Sequence, residues 1–266
     1  MAIFNRKNAM SRRKPFAAAA VIAIGLMVTG GGYAAATAAI KGNQSETVAS
    51  AAQIDEGHKL FLANCASCHG KNAEGSNYAP TLIGVGAASV DFQVGSGRMP
   101  AQASGPQMPT KDPQFTDTQI AALAAYVASL GPGPAVPTDA MVKANGNATR
   151  GGELFRTNCA MCHNAAGAGG ALTQGKYAPA LTETEPKEMY EAMLTGPQNM
   201  PVFNDANLTP KDKKDIITYL VYLQQHPSPA GLSLDNLGPV AEGLFVWIFV
   251  LGGIIAITVW LGAKSN

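Results

Sequence analysis

Cysteine and histidine occur twice in the same close arrangement, and no other residues in the chain point as clearly to chemistry. The sequence CASCH covers residues 65–69, and CAMCH covers residues 159–163. These two motifs contain all four cysteines of the chain. Two cysteines three residues apart, with a histidine directly after the second, are compatible with a zinc site, a redox-active disulfide or covalent attachment of a c-type haem.

The spacing around the motifs separates these three possibilities. A zinc site needs four ligands, and its second pair normally lies within about 20 residues of the first. Here the pairs lie 94 residues apart. A thioredoxin-like disulfide needs alternating strands and helices, which the flanking sequence does not predict. We therefore predict two covalently bound haem c groups, and the attachment residues are Cys65, Cys68, His69, Cys159, Cys162 and His163.

Each motif lies in one copy of an internal repeat. Residues 57–69 and 151–163 are identical at eight of 13 positions, and YAPTL and YAPAL follow them in turn. Each copy continues to a Met-Pro pair and then to a stretch with helical spacing of apolar residues, without any long alternating pattern typical of strands. This pattern predicts two small all-α domains, at residues 54–131 and 148–227. Units of this size have a marginal hydrophobic core, which a haem would complete.

The sixth ligand of each iron decides between an electron carrier and a site that binds small ligands. Met99 and Met200 occupy matching places in the two repeats, and each precedes a proline. We therefore predict that His69 and Met99 bind one iron, and that His163 and Met200 bind the other. A filled coordination sphere of this kind favours electron transfer.

Other residues compete for these roles. Met108 also precedes a proline in the first repeat, but Met99 aligns better with the methionine of the second. His58 and His226 are alternative ligands, yet neither has a histidine counterpart in the other repeat, and we expect both to be solvated. The shared Tyr-Ala-Pro segments are expected to shape the loop beneath each haem. Two tyrosines, Tyr126 and Tyr219, are expected to pack the last helix of each repeat against the first.

Uncharged segments lie near both ends of the chain. Residues 15–40 follow a basic block that includes Arg12 and Arg13, and they are long enough to cross a membrane at ~1.5 Å per residue. A retained anchor, a cleaved signal peptide and a twin-arginine signal remain open for this segment. Residues 243–263 contain both tryptophans and end before Lys264, which predicts a transmembrane helix. Basic residues flanking membrane helices tend to stay in the cytoplasm. The basic block before residue 15 and Lys264 after the last segment therefore predict that the repeats lie on the extracytoplasmic side.

The remaining boundaries follow from composition. Proline and glycine are frequent between the repeats, which predicts a non-helical connector.

The net charge of +1 and the low share of charged residues, 14%, exclude a basic surface for nucleic acid. The predicted order is a basic N-terminus with its transmembrane or signal segment (1–40), a linker (41–53), the first haem domain (54–131), a linker (132–147), the second haem domain (148–227), a linker (228–242) and the transmembrane helix (243–263).

These features together resemble a known family. Each repeat is similar to a class I cytochrome c, and the whole chain resembles the dihaem cytochrome c subunits of actinobacterial cytochrome bcc complexes. The resemblance rests on the tandem haem motifs, GRMP at 97–100, and LGPVAEGLFVW leading into the last apolar segment. It covers nearly all of the chain.

The resemblance implies a function for the chain as a subunit of a quinol–cytochrome-c reductase complex in the cell membrane. The implied partners are a cytochrome b subunit, a Rieske iron–sulfur subunit and an aa3-type cytochrome c oxidase. Electrons from menaquinol would enter the haem at His69 and leave through the haem at His163, with no bond chemistry by the subunit itself. Two alternatives from other classes remain, a dihaem peroxidase and the cytochrome subunit of another membrane dehydrogenase.

Overall fold

The structure is a computed structural model that describes residues 15–42, 49–103, 105–226 and 243–264. It divides into two compact units, residues 1–47 and 48–266. In the first unit the described residues form one helix, α1 (Pro15–Gly42). The basic residues that precede this helix lie outside the described residues, as do residues 43–48 of the predicted linker 41–53 and the whole of the predicted linker 228–242.

The described part of the second unit is mostly helical. Its helices up to residue 226 are α2 (Ala51–Asn64), α3 (Ala66–His69), α4 (Ala87–Gly95), α5 (Asp117–Ser129), α6 (Asp139–Val142), α7 (Ala148–Asn158), α8 (Ala160–His163), α9 (Pro186–Thr195) and α10 (Pro210–Gln225). Two short strands, β1 (Gly170–Ala171) and β2 (Tyr177–Ala178), pair antiparallel on either side of a 3-10 turn.

In the first repeat, α2 packs against α5. Ser50 caps α2 by accepting a hydrogen bond from the backbone N–H of Gln53, and Thr116 forms a capping box at the start of α5. The helices cross at Gly57, where an added Cβ would lie closer than 3.0 Å to backbone atoms of Ala122. Only glycine permits so close an approach, so the position of this residue fixes where the two helices meet.

The second repeat is built in the same way from α7 and α10. Asn147 caps α7, and α10 begins with Thr209 as its N-cap and proline as its first residue. Gly151 lies at the crossing, where an added Cβ would lie closer than 3.0 Å to backbone atoms of Asp215. The predicted tyrosine contacts are confirmed in both repeats: ring centroids lie 5.2 Å apart for Phe61 and Tyr126, and 5.7 Å apart for Phe155 and Tyr219.

Two features differ from the expectations. The connector between the repeats is not wholly non-helical, because α6 forms one turn after Thr138. A threonine followed by an aspartate favours such a start, despite the prolines and glycines nearby. The helices α4 and α9 were not predicted; they contact each other and so join the two repeats.

Residues 243–264 form an apolar helix, in which the π-helical stretch Val246–Leu251 is followed by α11 (Gly252–Lys264). Its mean hydropathy is 2.6, and among the described residues it is the helix long and apolar enough to cross a membrane. In α1 the corresponding apolar part is the shorter stretch Ala19–Tyr33. The C-terminal prediction is therefore confirmed as an apolar helix of sufficient length.

Candidate functional site

Each Cys-x-x-Cys-His motif forms a single helical turn at the end of a longer helix. In the first repeat the backbone N–H of Cys65 donates to Phe61 at 2.8 Å, and that of His69 donates to Cys65 at 2.9 Å. The second repeat has the same two bonds, from Cys159 to Phe155 at 2.8 Å and from His163 to Cys159 at 2.9 Å. The local backbone of the two motifs is therefore the same, as the sequence repeat predicts.

Both motif histidines are buried and held in one orientation by a backbone carbonyl. The Nδ1 atom of His69 lies 2.8 Å from the carbonyl oxygen of Pro80, and that of His163 lies 2.9 Å from that of Pro179. A carbonyl only accepts, so Nδ1 must carry a proton, and in the neutral ring Nε2 then keeps its lone pair. Nε2 is then the atom of each ring available to a metal.

The proline carbonyls explain the repeated Tyr-Ala-Pro segments. The sequence predicted that these segments shape the loop beneath each haem, and the histidine contacts give that loop a specific task. The particular bond was not predicted, because nothing in a proline residue itself signals that its carbonyl will meet a histidine ring. The repetition of the segment at a similar distance after both motifs was the available signal.

In the second repeat the predicted ligands line a single cavity. The cavity has a volume of about 910 Å³, which lies within the ~300–1,000 Å³ typical of cofactor sites. Cys159, Cys162 and His163 line it together with Met200. Apolar residues supply much of the remaining wall, among them Phe155, Leu181, Met189, Met193, Ile216 and Leu220. Two thiols, an imidazole and a thioether around an apolar space of this size fit a covalently attached haem c with His/Met ligation.

In the first repeat two of the predicted residues pack against the corresponding core. Cys65 and Met99 both pack against the buried cluster that contains Phe61 and Leu123. Met108 is not among the described residues that pack against this cluster. This placement favours Met99 over Met108 as the sixth ligand.

The thiols differ from those of a redox-active pair. Burial, together with the neighbouring Cys68, raises the pKa of Cys65 to about 11, and burial with Cys162 nearby raises the pKa of Cys159 to about 11. Redox-active Cys-x-x-Cys pairs instead contain a thiol with a lowered pKa. All four cysteines are free in the structure, and the part of the chain described contains no group of three or more potential zinc ligands. The raised thiol pKa values agree with cysteines that serve for attachment and not for disulfide exchange.

Burial also acts on the motif histidine of the second repeat. Desolvation lowers the pKa of His163, against the opposite effect of the Pro179 carbonyl. A neutral imidazole is the form that binds a metal.

The alternative histidine ligands lie against tyrosines. His58 stacks on Tyr126 with ring centroids 4.8 Å apart, and His226 stacks on Tyr222 at 4.2 Å. His226 is exposed, as expected, whereas His58 is half-buried. His58 is only partly solvated, because the crossing of α2 and α5 brings the Tyr126 ring over it.

Charged residues between α4 and α9 join the repeats. Lys187 forms an ion pair with Asp91 at 2.5 Å. Glu191, one helical turn further along α9, is only 1% exposed and lies close to the same aspartate. Burial, with a further contribution from Asp91, raises the pKa of Glu191 to about 9. This carboxyl is therefore protonated at neutral pH.

The raised pKa of Glu191 predicts a pH-dependent stability. Between pH 4.5, its ordinary pKa, and about pH 9, the folded chain retains a proton that the unfolded chain has released. The free energy of unfolding should therefore fall as pH rises across this window, by at most ~1.4 kcal/mol per pH unit. Glu191→Gln should become more stable relative to the wild type as pH rises, measured by guanidinium denaturation at pH 6 and pH 9. Glu153→Gln, at an exposed ion pair, is the control, and parallel profiles for wild type and Glu191→Gln would contradict the assignment.

Comparison with known proteins finds cytochrome families over both repeats. A family model described as "Cytochrome c" matches residues 54–131, and one described as "Cytochrome C oxidase, cbb3-type, subunit III" matches residues 146–220. The chain is thus similar to cytochrome c domains over both repeats.

Curated relatives share most of the chain. A protein of Corynebacterium efficiens named "Cytochrome bc1 complex cytochrome c subunit" is 44% identical, over 97% of this chain and 93% of the relative. The protein of the same name from Corynebacterium diphtheriae is 40% identical, over 98% of this chain and 99% of the relative. The one from Mycobacterium tuberculosis is 46% identical, over 81% of this chain and 80% of the relative. Cytochrome c domains carry covalent haem and transfer electrons. The chain belongs to the family of cytochrome bc1 complex cytochrome c subunits.

Proposed function

We propose that this chain is the dihaem electron-transfer subunit of a menaquinol-oxidising cytochrome bcc complex. It consists of two tandem class I cytochrome c domains, residues 54–131 and 148–227, each with one covalent haem c. The observation that carries the proposal is the cavity of the second repeat, where His163 and Met200 lie on the same apolar space as both motif thiols. The first repeat offers the same donor set in Cys65, Cys68, His69 and Met99.

The side chains around each site hold and insulate the cofactor. When bound, a haem c supplies one-electron transfer between ferrous and ferric iron. The two cysteines of each motif would attach it through thioethers, and the histidine Nε2 and the methionine sulfur would be the iron ligands. Pro80 and Pro179 hold the imidazole planes in place, so that the ligands keep one geometry. A filled and rigid coordination sphere favours electron transfer over binding of peroxide or oxygen.

The apolar helix at residues 243–264 anchors the chain in the cell membrane, and the haem domains lie on the extracytoplasmic side. The N-terminal segment is either a second membrane helix or a cleaved signal. The names of the relatives support assembly into a bc1-type complex. The resemblance of the chain to the dihaem subunits implies a cytochrome b subunit and a Rieske iron–sulfur subunit as its partners. By the resemblance of the chain, electrons enter at the His69 haem and pass through the His163 haem to an aa3-type oxidase.

Purification of the native chain in mild detergent tests this proposal. We expect a cytochrome b subunit and an iron–sulfur protein to co-purify, intact mass spectrometry to give two haems per chain, and a menaquinol analogue to reduce both. Recovery with a sugar or alcohol dehydrogenase instead would overturn the assignment to this complex. A stable complex of either haem with peroxide would favour a dihaem peroxidase.

A further inference from the structure

The cavity of the second repeat has a wall from the first repeat. Most of its lining belongs to residues 155–220, but four side chains of the first repeat also face it. These four residues are Phe92, Arg98, Gln107 and Thr110. A cofactor that fills this cavity would therefore touch both repeats.

Specific contacts hold this wall in place. The side-chain oxygen of Gln107 accepts a hydrogen bond from the backbone N–H of Tyr177 at 2.9 Å, at the edge of the cavity. The ion pair of Lys187 with Asp91 joins α9 to α4, close to Phe92. The wall is thus tied to the second repeat at two separate points.

Arg98 is the cation in this wall. Its Nη1 atom is buried and has no hydrogen-bond partner among the described residues. The guanidinium carbon lies 4.8 Å from the centre of the Phe92 ring, which restricts its position. A guanidinium stays charged in proteins, and a buried donor without a partner is costly, so an anion is expected beside it.

The nearest candidate in the chain does not supply that anion. Glu188 also lines the cavity and interacts electrostatically with Arg98, but within the described ranges no ion pair or hydrogen bond joins the two side chains. Burial raises the pKa of Glu188, which weakens it further as a counter-ion. The partner that the cavity itself offers is the cofactor it accommodates. A haem carries two propionate carboxylates, and a planar guanidinium bonds a carboxylate through two parallel N–H groups.

We propose that Arg98 of the first repeat binds a propionate carboxylate of the haem attached to the second repeat. The inference rests on the proposed haem at His163. It makes the first repeat part of the second haem's binding site, and it gives the positive charge of Arg98 a role in setting that haem's midpoint potential. A nearby cation stabilises the reduced haem, whose net charge is one unit more negative than that of the oxidised haem.

Redox titration of Arg98→Gln in the purified full-length protein tests the proposal. The His163 haem is identified as the one whose potential Met200→His changes. We expect Arg98→Gln to lower that potential, shifting the ratio of reduced to oxidised haem by three- to tenfold, the latter being ~59 mV. Arg98→Lys should shift it less, because the charge is kept and the paired geometry is lost. In resonance Raman spectra, the propionate bending modes of one haem should move in Arg98→Gln.

Arg150→Gln is the matched control, because Arg150 lies in the second repeat but is half-exposed and paired with Glu153. We expect Arg150→Gln to leave the midpoint potentials of both haems unchanged. Arg98 directly precedes Met99, so it could instead act on the haem of its own repeat. A change in midpoint potential confined to the His69 haem would show this and would overturn the proposal. A shift no larger than that of Arg150→Gln would overturn it as well. In both cases two attached haems would leave the proposed function standing, whereas absence of haem at Cys159 and Cys162 in the wild type would refute that function itself.

Discussion

Met200→His is expected to lower the midpoint potential of one haem by roughly 120 mV or more, a hundredfold change in the ratio of reduced to oxidised iron. Met200 lines the same cavity as His163, and we propose that its sulfur is the sixth ligand. A soft thioether stabilises ferrous iron, whereas imidazole favours the ferric state. Axial ligands tune haem potentials over ~0.8 V, so this exchange should exceed any effect of a neighbouring charge. Potentiometric titration of the haem absorption bands measures it.

Met161→His provides a close control for this variant. Met161 lies inside the second motif, between the two cysteines, and its side chain is 95% exposed. Met161 also borders the cavity, but because its side chain is almost fully exposed, a histidine there should remain in solvent and leave the iron unbound, so both potentials should stay at their wild-type values. If Met200→His also left both potentials unchanged, Met200 would not be the ligand.

The same reasoning separates the two methionine candidates of the first repeat. Met99 packs against the first core, and Met108 is not among the described residues that do so. Met99→His should therefore lower the other haem's potential, and Met108→His should not. The reverse result would assign the sixth position to Met108 and correct the alignment of the two repeats.

A lowered potential at the second haem has a direct consequence for electron flow. In the proposed order, the His163 haem receives an electron from the His69 haem and passes it to the oxidase. Lowering its potential alone makes that first transfer less favourable, so quinol oxidation should slow although both haems remain attached. This result would separate a ligand effect from loss of the cofactor.

Parts of the structure with a local cause could be predicted from the sequence. The helix beginning at Pro210 follows from its capping threonine and first-position proline, and the two haem motifs follow from the spacing of cysteine and histidine. The duplication strengthened both predictions, because a feature present at corresponding places in two copies is less easily a coincidence. The aromatic contact of Phe155 with Tyr219 was predictable for the same reason.

The parts that depend on contacts between the repeats could not be predicted. In α9 the buried residues include Glu191, and a glutamate at a buried position interrupts the apolar pattern by which a helix is recognised in the sequence. α4 has nine residues and glycine at its N-cap, without a side-chain hydrogen bond there, so neither periodicity nor capping marks it. The position of Arg98 on the cavity of the other repeat depends on how these two helices meet. The spacing of residues within one repeat does not predict how α4 and α9 contact each other.

Gly151→Ala is expected to cause the largest loss of stability among single-methyl changes in the second repeat. A Cβ at this position would overlap the backbone of Asp215 and Ile216 in α10, closer than 3.0 Å. Backbone atoms cannot rotate away, so α7 and α10 would have to separate, and the separation would loosen the packing of Phe155 beside the cavity. Overpacking of a core typically costs ~1–3 kcal/mol, and a backbone clash between two principal helices should reach the upper end of that range. Guanidinium denaturation followed by circular dichroism measures the free energy of unfolding.

Gly95→Ala is the matched control, since Gly95 is also helical and nothing lies within 4 Å of its added Cβ. Alanine is the better helix former, so this change should be neutral or stabilising by up to ~1 kcal/mol. The opposite signs of the two variants distinguish a steric requirement at the helix crossing from a general effect of replacing glycine. Gly57→Ala, at the corresponding crossing with Ala122, should behave as Gly151→Ala does. A small effect at both crossings would mean that the helix pairs tolerate separation, and that the covalent haem rather than close helix contact holds each domain together.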